Sequence, residues 1–477
     1  MITLTLDPKS KTPLYIQLYG GIKKLILEGA LKENEKLPSK RSLSSHLKIS
    51  VLTVENAYGQ LIDEGYLRSK AGSGYYVEHL LPSLKDPKGE AAVAAFPSKK
   101  SGQESNPATP CPSVCDFSTK GTDTASFPFS IWRSLSRQAL SRPAAQLLAP
   151  CPSGGTDELR TAIAGYLAAF RGLKVDPAQI VVGAGSEYLV GLIIQLLGRD
   201  LTYGIENPGY HKIASIFREH GVRCVGIALD SCGACPEEET LPHVLHITPA
   251  HHFPTGICMP AGRRTSILSM MERRGGYVIE DDYDSEFRYK GQIIPTLAAM
   301  DQSGRVIYLS TFTKLLAPSI RISYMVLPPA LLEEYQKRLS FYACTVPVFD
   351  QLTLASFISE GYLERHVNRM KKLYKKKRDA LMGALEGSAL APFLRIEGAE
   401  AGLHLLLKVE NGMSEEELVK SAASLGVGLH GLSEYTLKNA PCPISKGATP
   451  CLVLGYNGIT EEQIAKGVSL LEKAWIV

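Results

Sequence analysis

Apolar residues recur at helical spacing through the first part of the chain. Leu14, Leu18, Ile22, Leu25 and Ile26 line one face, and Leu43, Leu47, Val51, Val54, Tyr58, Leu61 and Ile62 resume the pattern after a short loop. Ser39 stands where a helix N-cap belongs. A polar turn, Lys48 to Ser50, separates the short helix ending at His46 or Leu47 from a second one starting near Val51 or Leu52. From Tyr66 to Val77 the period changes to that of a strand, interrupted by Gly72, Ser73 and Gly74, which predicts a two-stranded wing with its turn at those residues. Helix, tight turn, helix and wing therefore fill residues 1–80.

The next stretch, Pro82 to Pro112, is rich in Pro, Ser, Ala, Gly and Lys and has no sustained apolar period. It reads as a linker over 81–115, with a reach of roughly 30 Å as a flexible coil. Beyond it, strand-like apolar runs alternate with amphipathic stretches: Ile180 to Val182, Thr202 to Ile205, Val222 to Ile227, His246 to Thr248, Tyr277 to Glu280, Val306 to Ser310 and Ile322 to Leu327. That alternation predicts an α/β unit with a mostly parallel sheet covered by helices. A large lobe is expected over about 150–335. A smaller α+β lobe, with strands near Gly402 to Val409 and Cys451 to Gly455, takes 116–149 and 345–477.

Composition sharpens this division. The chain has 477 residues, 44% hydrophobic and 21% charged, too long for one ordinary core and too balanced for disorder. Its net charge is only +4, so any affinity for nucleic acid has to come from a local patch. Residues 1–80 hold nine Lys and two Arg against two Asp and six Glu, a balance of +3, so most of the excess positive charge sits there. Met1 to Pro13 lacks the pattern of a signal peptide and no apolar run is long enough to span a bilayer, so a cytoplasmic protein without membrane partners is expected. The ten cysteines are scattered and read as free thiols. Cys232 and Cys235 form a CxxC and Cys111 lies near Cys115, but neither pair has a zinc-ribbon context, so no metal is expected.

The first region carries groups suited to duplex DNA. Thr53, Asn56 and Gln60 fall on the side of the second helix opposite Val54, Ala57 and Leu61, where they can enter a major groove. Ser39, Arg41, Lys48 and the wing residue Lys70 can hold phosphates, and Gly72, Ser73 and Gly74 let the wing backbone approach closely. Each charge alone reads equally well as solvated surface; the combined order is what points to DNA. Across residues 10–78 the chain resembles the GntR family of winged helix-turn-helix domains, most specifically in LPSKRSLS and EGYLRSKAGSGYYV.

In the second region the run VIEDDYDSEFRY closes one predicted strand with acids, and YLSTFTKLLAPSIRISY closes another with a lysine about thirty residues later. Here the chain resembles fold-type I aminotransferases over residues 116–477, and more closely the MocR branch, in which such a domain follows a GntR-type head. The resemblance implies pyridoxal 5'-phosphate as cofactor, bound as a Schiff base on Lys314. Asp281 would face the pyridine nitrogen, and Tyr283 would donate to the ring's phenolate oxygen. The loop VVGAGSEYL offers Gly185 and Ser186 at a helix start as a phosphate cup, with Thr311 adding a hydroxyl and Arg321 a guanidinium fork. Tyr210, in ENPGYHK, matches the aromatic placed against the ring face. A lone lysine, a lone GxG or a lone acidic turn would each be surface chemistry; their fixed order carries the assignment. The basic run KKLYKKKR, Lys371 to Arg378, reads as the wet face of a helix packing through Leu373, Tyr374 and Leu381, or as an auxiliary DNA contact.

Two departures bear on function. The cofactor loop reads HHFPTG, with Phe253 where aminotransferases usually have asparagine, and CLVLGYNG from Cys451 lacks the arginine that clamps a substrate carboxylate. Losing that bidentate contact argues against efficient transamination and favours the cofactor itself as a signal, although Lys212 or His211 could take part of the arginine's role. The reading is a homodimeric regulator binding an operator under control of pyridoxal phosphate or an amino compound at Lys314, governing vitamin B6 or amino-acid metabolism. The alternative is an active aminotransferase carrying an accessory DNA-binding domain.

Overall fold

The computed structural model describes residues 4, 6–8, 10, 12–70, 73–78, 114–119, 121, 123–289, 294–437 and 449–476. The chain divides into two compact units, Met1–Ala108 and Thr109–Val477. The predicted linker Pro82 to Pro112 lies outside the described residues, as does Gly72.

In the first unit α1 (Leu14–Leu27) packs Leu18, Ile22 and Ile26 against α3 (Val51–Asp63), whose Val54, Ala57, Tyr58 and Leu61 complete the core. Between them α2 (Lys40–Leu47) begins at Ser39, whose hydroxyl accepts from Ser42 N at 3.2 Å. It ends at Lys48, which takes the left-handed conformation at φ 54°. Ser50 then caps α3 by accepting from Thr53 N at 3.1 Å. Each such cap contributes about 1 kcal/mol, so two serines hold both ends of the turn between the helices. The wing strands β2 (Leu67–Lys70) and β3 (Gly74–Val77) pair antiparallel with Lys70 opposite Gly74. The sheet has a third strand that the pattern did not give. β1 (Lys36–Leu37) lies along β3, and at two residues it is too short to show a strand period.

The second unit opens with the short β4 (Cys115–Asp116) and centres on an eight-stranded sheet. In chain order its strands are β5 (Ile180–Gly183), β6 (Thr202–Asn207), β7 (Arg223–Asp230), β8 (Gly233–Ala234), β9 (Val244–Ile247), β10 (Tyr277–Asp282), β11 (Val306–Thr311) and β12 (Ser323–Val326). The spatial order is β5-β12-β11-β10-β9-β6-β7-β8. The central pairs are parallel, while β12 runs antiparallel to both neighbours. The strands β5, β6, β9, β10 and β11 therefore all end at one edge of the sheet, and β12 starts there; in open parallel sheets that edge forms the ligand crevice. The Ser186–Leu197 helix is buried on nearly every side against this sheet. A second sheet has the order β13 (Leu394–Glu397), β14 (His404–Val409), β17 (Cys451–Gly455) and β16 (His430–Gly431), while β15 (Val427–Gly428) pairs with β4.

Of the basic run, Lys372, Lys375 and Lys376 are exposed on the Tyr362–Glu386 helix. Lys377 and Arg378 are not part of a wet face. Lys377 is buried and donates to Asp123 at 2.8 Å and to the Asn457 carbonyl at 3.1 Å, and Arg378 reaches the Ala399 carbonyl. An uncompensated buried charge is costly, so these two are held by the interior and are not offered to DNA.

Candidate functional site

The sheet edge brings the motif residues together. Register places Gly183, Ser323 and Thr311 in one row across β5, β12 and β11. Gly185, at φ 105°, caps the helix that starts at Ser186. A Cβ at Gly185 would lie 2.1 Å from Arg321 Nη2 and 2.6 Å from Glu187 Oε2, so glycine is required there for space as well as for backbone angle. Arg321 is itself left-handed, at φ 52°, just before β12, and its exposed guanidinium donates to Glu187 Oε2 at 2.6 Å and to the Ala184 carbonyl at 3.3 Å. Lys212 pairs with the other Glu187 oxygen. Burial works against ionising Glu187, but hydrogen bonds from Lys212 and Arg321 prevail and bring its carboxyl down to about 2. Thr311 Oγ1 accepts from Ser323 Oγ at 2.8 Å and from Thr313 N at 3.1 Å, and Ala184 N donates to Thr345 Oγ1 at 2.9 Å.

A few ångströms along the edge the acids of β10 separate. Successive side chains of a strand point to opposite faces. Asp282 accordingly turns to the buried Arg171 and accepts from the Tyr308 hydroxyl at 2.6 Å, while Asp281 turns the other way, with its Oδ2 3.3 Å from His246 Nε2. Behind His246 lies Glu206, whose Oε2 accepts from Thr248 N at 2.9 Å and from Thr248 Oγ1 at 2.6 Å. Burial raises that carboxyl to about 7. The Tyr283 hydroxyl is 3.2 Å from His251 Nδ1, which also faces Asp284 Oδ2 at 3.0 Å. Gly402 makes room for His251, since a Cβ there would come within 1.9 Å of the imidazole.

Lys314 Nζ donates to the Thr119 carbonyl at 3.2 Å. Burial lowers its pKa, with Asp284 opposing, so the amine is more readily neutral and nucleophilic. Phe253 forms the floor between these groups: its ring centroid is 5.9 Å from Tyr210, 6.3 Å from Tyr283, 5.2 Å from His404 and 5.1 Å from Tyr435. Tyr210 is 45% exposed. Its hydroxyl feels the charges of Lys212, Glu187, Asp281 and Arg321, which ties the arginine end of the site to the aspartate end. The sequence pattern did not single out His246, Glu206, His404, Thr119, Thr345, Tyr435 or Glu187.

On the first unit Arg41, Lys48 and Lys70 are exposed, as is Ser39. Asn56 projects from α3 into solvent, but Thr53 is half-buried with its hydroxyl 2.8 Å from Ser50 Oγ, and half-buried Gln60 donates to Glu64 at 3.3 Å. The start of α3 instead exposes Leu52 (64%) and Val51 (41%), the second of which the periodicity counts toward the core. Ser73 bonds Tyr76 through their hydroxyls at 2.6 Å, and Gly74 has φ 117°.

A winged helix-turn-helix head joined to an aminotransferase-type sheet with a half-buried lysine at its strand ends defines a transcription regulator with an aminotransferase-like domain. Residues 14–77 match the family of bacterial regulatory proteins of the gntR family, and residues 137–425 match aminotransferase class I and II. An uncharacterized HTH-type transcriptional regulator, YhdI of Bacillus subtilis, is 37% identical over 99% of this chain and 98% of its own length. The HTH-type pyridoxine biosynthesis transcriptional regulator PdxR of Corynebacterium glutamicum is 32% identical over 91% of both chains. Among solved structures, the kynurenine aminotransferase of Pyrococcus horikoshii shares the fold with a TM-score of 0.65 at 24% identity, over 76% of this chain and 90% of that one. The chain belongs to the MocR branch of GntR-type regulators, pyridoxal phosphate-dependent transcription regulators with an aminotransferase-like domain. No helix among the described residues is long and apolar enough to cross a membrane.

The residues present fit that cofactor. Gly185 leaves a cradle that a Cβ would fill, a guanidinium and an ammonium border it, and a carboxylate backed by an imidazole stands at the other end, with a half-buried amine at Lys314 on the same edge.

Proposed function

We propose that this protein represses or activates an operator according to whether pyridoxal phosphate is bound at Lys314, with the cofactor itself as the signal. The observation that carries this reading is β17: Cys451–Gly455 is buried along its length and apolar, so it offers a substrate carboxylate no cation, while groups suited to the cofactor's phosphate, ring and aldehyde lie along one sheet edge. The relative named for control of pyridoxine biosynthesis supports the same choice of signal.

Pyridoxal phosphate supplies an aldehyde that condenses with amines and a ring that withdraws electrons. The chain's residues would do the rest. Lys314 presents an amine whose pKa burial lowers, steadied by the Thr119 carbonyl. Asp281, held by His246, keeps a proton on a pyridine nitrogen placed against it. The Tyr283 hydroxyl, which lies 3.2 Å from His251 Nδ1, would donate to the ring oxygen, and Tyr210 with Phe253 would shield the ring from water. Gly185, Ser186, Thr311 and Arg321 take the phosphate end. On the head, Asn56 and half-buried Thr53 face the base edges, and Ser39, Arg41, Lys48, Lys70, Ser73 and Gly74 hold the backbone. Two heads in a homodimer would read two half-sites, and cofactor binding shifts the population of head arrangements by its differential affinity for them.

The test is operator binding by the full chain, on DNA that the purified protein itself selects, with and without the cofactor at fixed salt. The reading expects a changed affinity or footprint. Identical affinity and footprint overturn it, and multiple turnovers with a panel of amino and keto acids would establish the aminotransferase alternative in its place.

A further inference from the structure

An arginine already paired with an anion is poorly prepared for a phosphate, and Arg321 is so paired. Its Nη2 lies 2.6 Å from Glu187 Oε2, and Lys212 holds the second Glu187 oxygen. Glu187 is the second residue of the Ser186–Leu197 helix, so its carboxylate sits at a helix start, where free backbone N–H groups and the helix dipole attract negative charge. The space is the one in front of Gly185, where a Cβ would meet both the guanidinium and this carboxylate. The pair is not locked in the core: Arg321 is 47% and Glu187 26% exposed, so the carboxylate can leave for water without stranding a buried charge.

We propose that the Glu187 carboxylate competes with the cofactor's phosphate group for one anion cradle, made by Gly185, Arg321 and Lys212. The inference rests on the reading of this site as a pyridoxal phosphate site. A phosphate enters the cradle only as Glu187 swings out, so the apparent affinity is reduced by the fraction of molecules in which the carboxylate is seated. After entry the displaced carboxylate remains near the phosphate and repels it. Both effects act on the phosphate and neither acts on the ring or the aldehyde. They give the site reversible occupancy, which suits a sensor and would handicap an enzyme that must keep its cofactor.

The test uses the full chain, freed of cofactor with hydroxylamine, and the isosteric variant Glu187→Gln. Each is titrated with pyridoxal phosphate and with phosphate-free pyridoxal, followed by the visible absorption of the bound aldehyde, and inorganic phosphate is added as a competitor. Glu187→Gln is expected to tighten pyridoxal phosphate by about tenfold or more, to leave pyridoxal unchanged, and to make inorganic phosphate a stronger competitor. Unchanged or weaker binding of pyridoxal phosphate would overturn the proposal and make Glu187 a support for Arg321. An equal gain for pyridoxal would also overturn it, since the effect would then lie at the ring end. Operator affinity measured on the same samples separates the two claims. If the variant binds pyridoxal phosphate more tightly while the operator ignores the cofactor in every sample, the cradle competition stands and the sensor reading falls.

Discussion

Along α3 Asn56 stands in water and Thr53 is half-buried beside Ser50, while Val54, Ala57 and Leu61 hold the opposite side to the core. At the ring end of the second unit Glu206, His246, His251 and His404 are each less than a tenth exposed and lean on one another. A solvated side chain on a firmly packed helix can be removed without disturbing its neighbours, so its loss is local and adds to other losses. A buried polar side chain leaves a stranded partner at about 1–3 kcal/mol, so its loss spreads. The head is thus suited to graded recognition, with each contact adjusting affinity, and the ring site to a two-valued answer.

The largest test of that contrast is Lys314→Ala. It should leave operator binding and its salt dependence intact while abolishing covalent retention of the cofactor and every response of the operator to it. Borohydride treatment followed by peptide mapping checks the first claim, and a label that persists on another lysine refutes the site. Next in size is Gly185→Ala. A residue other than glycine at φ 105° stores roughly 1–3 kcal/mol of strain, and the new methyl group would also displace Arg321. Affinity for pyridoxal phosphate should fall about tenfold to a hundredfold, with a lower melting temperature. Pyridoxal, which has no phosphate to place, should lose much less, and calorimetric titration of both ligands tells these outcomes apart.

Glu206 carries the contrast into pH dependence. Its carboxyl is raised from the ordinary 4.5 to about 7 by burial, so the folded state favours the protonated form. The stability from this group is fully present below about 4.5 and is lost as pH rises through about 7, a change of roughly 3 kcal/mol at most. The melting temperature of the second unit should therefore decline over that window, and Glu206→Gln should flatten the decline. Glu280 and Glu286 are raised to about 7 as well, so the slope should shrink without vanishing. A head with exposed charges should show no matching slope, and a profile that falls equally in both units would remove the distinction.

How much of this could be seen in the sequence follows the same division. The head was legible almost to the residue, because caps, turn and wing are made by neighbours: Ser39 bonds Ser42 and Lys70 faces Gly74. What escaped there was the two-residue β1 and the exposure of Val51, which periodicity alone assigns to the core. In the second unit Lys314, Asp281 and Gly185 could be placed because each sits in a local motif at a strand end. Their supports could not. The carbonyl that holds Lys314 belongs to Thr119, 195 residues away, and the hydroxyl that meets Ala184 belongs to Thr345, 161 residues away. Glu187 lay in plain view within GAGSEYL, but an acid in the first turn of a helix has an ordinary explanation in the helix dipole. Only the fold shows that Arg321, the arginine proposed for the phosphate, ends against it.

Asn56→Ala tests the graded side. Loss of one side-chain contact to a base edge costs about 1–3 kcal/mol and relaxes preference at a single base position. Selection of DNA by the variant should show that one position blurred, with cofactor uptake unchanged. Preference lost at many positions at once would mean that the helix had shifted, and the additive picture of the head would fail.

The smallest effect is the most diagnostic, because Lys48 combines a structural liability with a proposed phosphate contact. Its backbone is left-handed at φ 54°, which costs a residue with a Cβ roughly 1 kcal/mol that glycine avoids. Glycine also gains freedom in the unfolded chain, which offsets part of that relief. Lys48→Gly should therefore leave the melting temperature of the head level or slightly raised. Operator and random DNA should both bind more weakly by a similar factor, and the slope of log affinity against log salt should fall by about 1, the signature of one phosphate contact. Lys48→Ala keeps the backbone cost and should show the same salt slope without the gain in stability. Combined with Asn56→Ala, either change should add to within about 0.5 kcal/mol, since both side chains are exposed to solvent. A pair of head substitutions that fails to add would place coupling in the one region where solvated, independent contacts leave no route for it.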